Sequence, residues 1–234
     1  MPQPQVNRVR GAFALALAFA CAPSNTNRQG SESTTVTRAE TASVASRAPT
    51  DSNITRADLA RIQGSPTAPV WVIEVSDFQC PYCKQWHDET YPVLRDQLVK
   101  TGKVRLAYVN FPLSMHAQAF PAAEAAMCAG AQDRFWPMHD ALFTSQARWE
   151  SADNPGAVFD SLAQANGVEM KRWRDCVSSG KMRPLIQADH DRASRAGASA
   201  TPSFMIGDKL LTGAQPLAAI QQAIDSAMVK NRQQ

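Results

Sequence analysis

Two cysteines, Cys80 and Cys83, flank Pro81-Tyr82 at the junction between a run of strand-forming residues and a helical stretch. The run, 70–75, reads Val-Trp-Val-Ile-Glu-Val and has the character of a buried strand; residues 84–100 have helical character. Residues three apart at a helix start share one face, so the two sulfurs can bond and separate reversibly. The first also lies over unpaired backbone N–H groups and the positive end of the helix dipole. That field stabilises a thiolate, the species that attacks a disulfide. The junction therefore constrains the chain to a strand, a tight turn and a helix, with chemistry suited to thiol–disulfide exchange. C-x-x-C is also half of a zinc site, but a ribbon requires a second such pair and a finger requires closely spaced histidines. Cys21, Cys128 and Cys176 stand alone, and His87, His116, His139 and His190 are scattered. The expectation is no metal and no cofactor beyond the cysteine pair itself.

The N-terminus carries Arg8 and Arg10 and then an uncharged stretch, 11–22, too short to span a bilayer as a helix. This is the pattern of an export signal, expected over 1–20, and Ala18-Phe19-Ala20 satisfies the small-x-small rule for cleavage before Cys21. Cys21 at that junction resembles a bacterial lipobox, with Ala18 where leucine is usual. Five cysteines leave one odd in an exported chain, and lipidation of Cys21 would leave four. The alternative is an ordinary cleaved signal, with Cys21 lost or free. Residues 21–57 are rich in Ser, Thr, Asn, Ala and Arg and read as a flexible tether. The six arginines up to Arg56, set against Glu32, Glu40 and Asp51, account for the net charge of +3, whereas 58–234 holds 18 basic and 18 acidic residues. The basic balance belongs to the tail and makes no case for nucleic-acid binding.

Residues 58–234 suffice for one domain with a substantial core. A short strand near 59–62 is weakly indicated. Thr90 and Pro92 mark a break in the helix after the cysteines, with Thr90 expected to cap the next segment. Residues 104–111 alternate as a second strand, parallel to the first through a crossover. From about 114 to 197 the pattern is helical, with Pro121 opening a helix that contains Cys128. Another helix is expected over 134–143, Asn154-Pro155 starts a third, and Gly167 and Gly180 are stops. Strands return at 203–206 and 209–212 around a Gly207-Asp208 turn, and a last amphipathic helix follows over 216–229.

Several separated motifs occur in this order. They are Gly64-Ser65-Pro66-Thr67-Ala68-Pro69, then Glu74-Val75-Ser76-Asp77-Phe78-Gln79-Cys80-Pro81-Tyr82-Cys83, and Phe111-Pro112-Leu113. Phe135-Trp136-Pro137-Met138-His139, Thr201-Pro202-Ser203-Phe204 and Gly213-Ala214-Gln215-Pro216 follow. Together they resemble the DsbA-like branch of the thioredoxin superfamily over essentially all of 58–234. The resemblance implies an α/β thioredoxin fold, a central mixed β-sheet flanked by helices, with an all-helical insertion at about 114–197.

The resemblance also assigns roles. Cys80 is the expected nucleophile, exposed at the helix start, and Cys83 the shielded resolving cysteine. Pro81 preorganises the helix, and Tyr82, where strongly oxidising relatives carry histidine, implies a milder potential. A cis Thr201-Pro202 bond is implied against the cysteines, leaving the Thr201 backbone to pair with an extended substrate; a trans proline opening a strand is the alternative. Glu74 is implied to be a buried acid with a raised pKa, exchanging a proton with Cys83 through water; the bland reading is an exposed strand glutamate. Asp77 and Lys84 are expected as solvated charges, Trp86 and His87 as packing and surface residues, and His116 as a cap or packing residue. Cys128 and Cys176 are expected to form a structural disulfide, as in some relatives, with two reduced thiols or a second redox pair as alternatives.

The function implied is thiol–disulfide exchange with exported proteins in the bacterial cell envelope, with the oxidase direction preferred over reductase or isomerase. A membrane redox partner, attachment through a lipidated Cys21 and a monomeric state are expected with it. From a different class, the same pair could hold a soft cation such as Cu(I) in a metallochaperone, although no Met-rich or His-rich tract supports this.

Overall fold

The computed structural model describes residues 51–233. The signal stretch, Cys21 and most of the expected tether therefore lie outside the described residues. The first element is α1, Ser52–Ala60, capped by Asp51, whose carboxylate accepts the Asn53 N–H at 2.8 Å. Ala57 of α1 is fully buried against the core. This corrects the expected boundary at residue 58: residues 51–57, read as tether, belong to a packed helix.

Strand β1, Ile62–Gln63, is followed by β2, Val70–Ser76. Between them Gly64 has φ +98°, and a Cβ there would lie 2.6 Å from the Val104 carbonyl oxygen, so only glycine fits this turn. Helix α2, Pro81–Glu89, carries Cys83 and has Cys80 as its N-cap; α3, Tyr91–Leu94, continues into a π-helical turn, Arg95–Val99. Thr90 makes no side-chain cap on α3. Its hydroxyl donates instead to the Gln215 carbonyl at 3.4 Å.

Strand β3, Val104–Asn110, leads to six helices: α4 Ala119–Gly130, α5 Phe135–Thr144, α6 Gln146–Glu150, α7 Pro155–Ala165, α8 Met170–Ser179 and α9 Arg183–Arg195. Helix α4 begins two residues before Pro121. Asn154 caps α7 through the Ala157 N–H, and α8 stops at Gly180, φ +63°. The hairpin β4, Ser203–Ile206, and β5, Lys209–Thr212, precedes α10, Leu217–Asn231.

The sheet runs β1-β3-β2-β4-β5, with β2 and β3 parallel and the other pairs antiparallel. This is the expected mixed α/β sheet with its helical insertion between β3 and β4. On one face, Val72, Glu74 and Ser76 of β2 stand in register with Leu106, Tyr108 and Asn110 of β3. The apolar residues of that face pack with α2, α3 and α10 in one cluster and with the insertion helices in another. The opposite face is held by Val75, Phe111 and Ala193 of α9.

Asp189 of α9 is fully buried and accepts from Arg61, from Arg192 at 2.5 Å, and from the Asn110 backbone N–H at 3.2 Å and side-chain amide at 3.0 Å. Arg61 also reaches Asp58 and the Tyr108 carbonyl. This ion-pair cluster joins the end of α1, β3 and α9. The Cys128–Cys176 disulfide links α4 to α8, with Cα atoms 5.8 Å apart.

Candidate active site

Cys80 is the N-cap of α2, with extended backbone angles (φ −70°, ψ 123°), and Pro81 occupies the first helical position, where its missing N–H costs nothing. Cys83 lies one turn in. Both are free thiols, Cys83 with no exposure and Cys80 only 3% exposed. The expected open nucleophile is thus corrected: the Cys80 sulfur is covered, and faces the Thr201 carbonyl at 3.4 Å. Thr201-Pro202 is cis, and the Pro202 carbonyl accepts the Gly213 N–H at 2.7 Å. The helix start and the turn before β4 therefore meet at the Cys80 sulfur. Tyr82 points outward, 63% exposed, beside this junction.

The two thiols are electrostatically unlike. Cys80 is pulled down to about 6, chiefly because the Cys83 thiol hydrogen-bonds to it; Thr201 and the N–H groups of Cys83 and Tyr82 add to this against the cost of burial. Burial pushes Cys83 well above its ordinary value, and the neighbouring Cys80 adds to the rise. At neutral pH the pair carries one negative charge, on the outer sulfur. The Asp77 N–H points at the Cys83 sulfur from 3.5 Å.

Glu74 is fully buried on β2, in register with Tyr108 on one side and Phe204 on the other. Neither carboxyl oxygen has a hydrogen-bond partner among the described residues. Burial raises its pKa to about 7, with Ser76 and His87 pulling down and Asp140 pushing up. Tyr108, also fully buried, is held far above its ordinary value by burial and by the proximity of Glu74 and Cys83. The sheet face beneath α2 thus holds a buried carboxyl and a buried phenol in register, and the phenol feels the charge of both Glu74 and Cys83.

Three supports of the site have no local signature in the sequence. Asp77, expected as a solvated charge, is buried. Its carboxylate accepts the Gln79 N–H at 2.7 Å, the Leu113 N–H at 3.0 Å and His116 Nδ1 at 2.7 Å. It ties the cysteine loop to the segment after β3 and gives His116 its place. The buried Gln146 amide donates to the Phe78 carbonyl at 2.8 Å and the Cys80 carbonyl at 3.2 Å. Gln79 accepts the Gln118 N–H at 2.6 Å. Lys84 is half-buried on Asp88 at 2.6 Å, and Trp86 is packed against Phe204, ring centroids 4.6 Å apart.

His87 is a further correction, for it is buried rather than a surface residue. One ring nitrogen meets Asp88 at 2.9 Å and the other Asp140 at 3.3 Å. Asp140 also takes His139 Nδ1 at 2.8 Å, and Arg95 stands 3.9 Å from its second oxygen. His87, His139 and Asp140 bring potential metal-ligand atoms within 4.8 Å of one another. The carboxylate is, however, already shared by two imidazoles and a guanidinium. Against the cost of burial, these contacts hold Asp140 far below the usual carboxylate range, while His139 Nε2 has no partner among the described residues. The Phe135–His139 motif marked this place in the sequence but not its partners.

The Thioredoxin family pattern matches residues 57–226. The chain is 32% identical over 176 residues, 75% of its length, to the Na(+)/H(+) antiporter NhaA 1 of Salinispora arenicola, of which the match covers only about a quarter, 26%. It is 27% identical over 175 residues to the "Probable disulfide bond formation protein D" of Bacillus anthracis, covering 71% of this chain and 77% of that protein. The crystal structure of oxidised BdbD from Bacillus subtilis superposes with a TM-score of 0.64 at 22% identity, over 71% of this chain and 91% of that one. The chain belongs to the thioredoxin family and has its DsbA-like fold, with the helical insertion between β3 and β4.

Proposed function

We propose that the chain is a protein thiol–disulfide oxidoreductase of the bacterial cell envelope that donates the Cys80–Cys83 disulfide to exported proteins. The observation that carries this is the split between the two thiols: Cys80 lowered to about 6 at the helix mouth, Cys83 raised within the helix, and the Thr201 carbonyl 3.4 Å from the Cys80 sulfur. In donation, a client thiolate attacks Cys80 of the disulfide. The S–S bond breaks and Cys83 leaves as a thiolate, which takes a proton from Glu74. A second client thiolate then attacks the client sulfur of the mixed disulfide and expels Cys80 as its stabilised thiolate. The client loses two electrons and the protein gains them.

A stabilised Cys80 thiolate favours the dithiol state and makes the disulfide the stronger oxidant. Cys80 at about 6 lies below thioredoxin, about 7, and above DsbA, about 3.5. The Thr201 and Pro202 backbone beside Cys80 supports docking of an extended client. No cofactor beyond the dithiol is needed. Reoxidation falls to a membrane redox partner, with the protein a monomer held at the membrane through lipidated Cys21. Mass analysis of the native N-terminus tests the anchor.

The deciding experiment is the reduction potential of the pair in glutathione buffers, with Cys128 and Cys176 followed separately by mass spectrometry. A value toward about −120 mV fits donation. A value at or below about −270 mV makes the dithiol the working form and reverses the direction to reductase.

A further inference from the structure

The cysteine loop, 77–80, is closed by bonds of its own. The Cys80 N–H donates to the Asp77 carbonyl at 3.1 Å, and the Gln79 N–H to the Asp77 carboxylate at 2.7 Å. These bonds use neither the Phe78 nor the Cys80 carbonyl, the two acceptors that bracket Gln79 and the nucleophile. The Cys80 carbonyl accepts the Lys84 N–H at 3.1 Å, the first bond of α2. Both carbonyls accept the side-chain amide of Gln146, at 2.8 and 3.2 Å, from a residue 68 and 66 positions further along the chain.

Helix α6, which Gln146 opens, is anchored by other residues. Trp149 is fully buried, its indole N–H donates to the Leu142 carbonyl of α5 at 2.8 Å, and its ring meets Phe159 of α7, centroids 5.5 Å apart. The Arg148 and Trp149 N–H groups hold the Ser145 carbonyl at 2.9 and 3.2 Å. An amide that is 5% exposed contributes nothing to that anchoring and must be matched by acceptors. It finds them on the cysteine loop rather than on its own helices. One primary amide offers two N–H donors, the number that this pair of carbonyls requires. A second link from α6, between the Gln79 amide and the Glu150 carboxylate at 3.1 Å, is exposed and touches no main-chain group of the loop.

The consequence is torsional. Cys80 is extended (φ −70°, ψ 123°) at the edge of a helix, and its ψ follows from where its carbonyl is held. With the peptide planes on both sides of Gln79–Cys80 fixed, the Cα–Cβ bond of Cys80 has one direction. It sets the sulfur 3.4 Å from the Thr201 carbonyl, within reach of the Cys83 thiol and of the Tyr82 and Cys83 N–H groups. Those neighbours are the ones that lower Cys80, so a loop free to turn loses part of their effect.

We propose that Gln146 is a positioning residue for the Cys80 sulfur: by holding the Phe78 and Cys80 carbonyls, it lets the helical insertion set the reactivity of a thiol at the head of α2. The inference rests on the reading of Cys80 as the stabilised outer thiolate, and the experiment separates the two.

Reduced full-length protein is titrated by thiolate absorbance and by the pH dependence of Cys80 alkylation, and is equilibrated with glutathione at pH 8. Gln146→Met keeps the length of the side chain and removes both donors. The titratable groups around the loop, Tyr82, Cys83 and Lys84 of α2, Asp77 and His116, and Glu150 of α6, stay in place. The Cys80 midpoint should rise by about 0.5–1 in pH. At pH 8 the preference for the dithiol then falls about threefold to tenfold, tenfold being about 30 mV. Trp149→Phe removes a donor from α6 without touching the loop. It should lower the denaturant midpoint, leave the Cys80 titration in place and keep the glutathione equilibrium within about twofold of wild type. A wild-type titration in Gln146→Met overturns the positioning role and leaves Cys80 as read. Equal shifts in Gln146→Met and Trp149→Phe assign the effect to a loosened α6 and also overturn it. A wild-type Cys80 that titrates like an ordinary cysteine overturns both readings. Should Gln146→Met fail to fold, Gln146→Asn, whose amide is one methylene short of the carbonyls, is read in the same way.

Discussion

A carboxyl group with no exposure and no hydrogen-bond partner is tolerated best while it keeps its proton. Glu74 is in that position, and its pKa of about 7 stands above the ordinary glutamate value expected in the unfolded chain. Between those values the native state binds more protons than the unfolded state, so stability falls as pH rises through about 7. Glu74→Gln, which cannot ionise, should therefore be more stable than wild type at pH 8, by up to about 3 kcal/mol, with the gap closing toward pH 5. Urea midpoints across that range test it, and a gap that does not vary with pH contradicts the buried carboxyl. His139 has the opposite sign. Burial lowers it to about 4, so its contribution is full above the ordinary histidine value and is lost as pH falls through 4. The residues of the exchange chemistry were readable from their neighbours in sequence, because strand, C-x-x-C and helix are contiguous. Gln146, Asp77 with His116, and Asp140 were not readable. Their bonds join segments 66, 39 and 53 positions apart, and nothing local to glutamine, aspartate or histidine announces such a partner.

At the scale of elements, the strands were legible because alternation survives burial. Val104–Asn110 buries Val104, Leu106, Tyr108 and Asn110 and leaves the residues between them half-covered. Helix α1 was not, because Ser-Asn-Ile-Thr-Arg-Ala-Asp-Leu-Ala has no apolar stripe: only Ala57 is buried, and Leu59 is exposed. What fixes α1 is its cap at Asp51 and the ion pairs at its end, Arg61 with Asp58 and Asp189, none of which is a periodic signal. Asp189→Ala should thus be among the most damaging single changes. It leaves Arg61 buried without its main counter-ion and strips Asn110 of an acceptor, at an expected cost of about 3–5 kcal/mol. The measurement is the shift in denaturant midpoint. A cost below about 1 kcal/mol would place the pair among surface bridges instead. The Cys128–Cys176 link acts on the insertion alone. It closes a separation of 48 residues, for which loop-closure entropy gives about 4 kcal/mol, an upper figure. The double alanine variant should lose about 2–4 kcal/mol while single-turnover exchange at Cys80 stays near wild type. A large loss of exchange would mean that the insertion disulfide takes part in electron transfer.

For the whole molecule, the chemistry and the stability are one linkage. A thiolate at Cys80 exists only in the dithiol form, and the unfolded chain ionises its cysteines at about 8.5. With Cys80 at about 6, the folded dithiol gains stability as pH rises from about 6 to about 8.5 and loses it as pH falls back through 6. The disulfide form has no such group. The difference in Tm between reduced and oxidised protein should accordingly move in favour of the reduced form over that interval and turn back above it, where buried Cys83 keeps a proton that the unfolded chain loses. The same free energy, transferred around the cycle of folding and reduction, is what drives the disulfide toward a client. Tyr82 brings no cation to this balance, and the lowering at Cys80 comes mostly from Cys83 and neighbouring hydrogen-bond donors. Cys83→Ser, which keeps a weaker donor there, should raise the Cys80 titration followed by thiolate absorbance, whereas Tyr82→His should lower it. If the Tm difference is flat between pH 6 and 8.5, Cys80 is not ionised in the folded dithiol, and the drive for disulfide donation has to be sought in strain of the oxidised form.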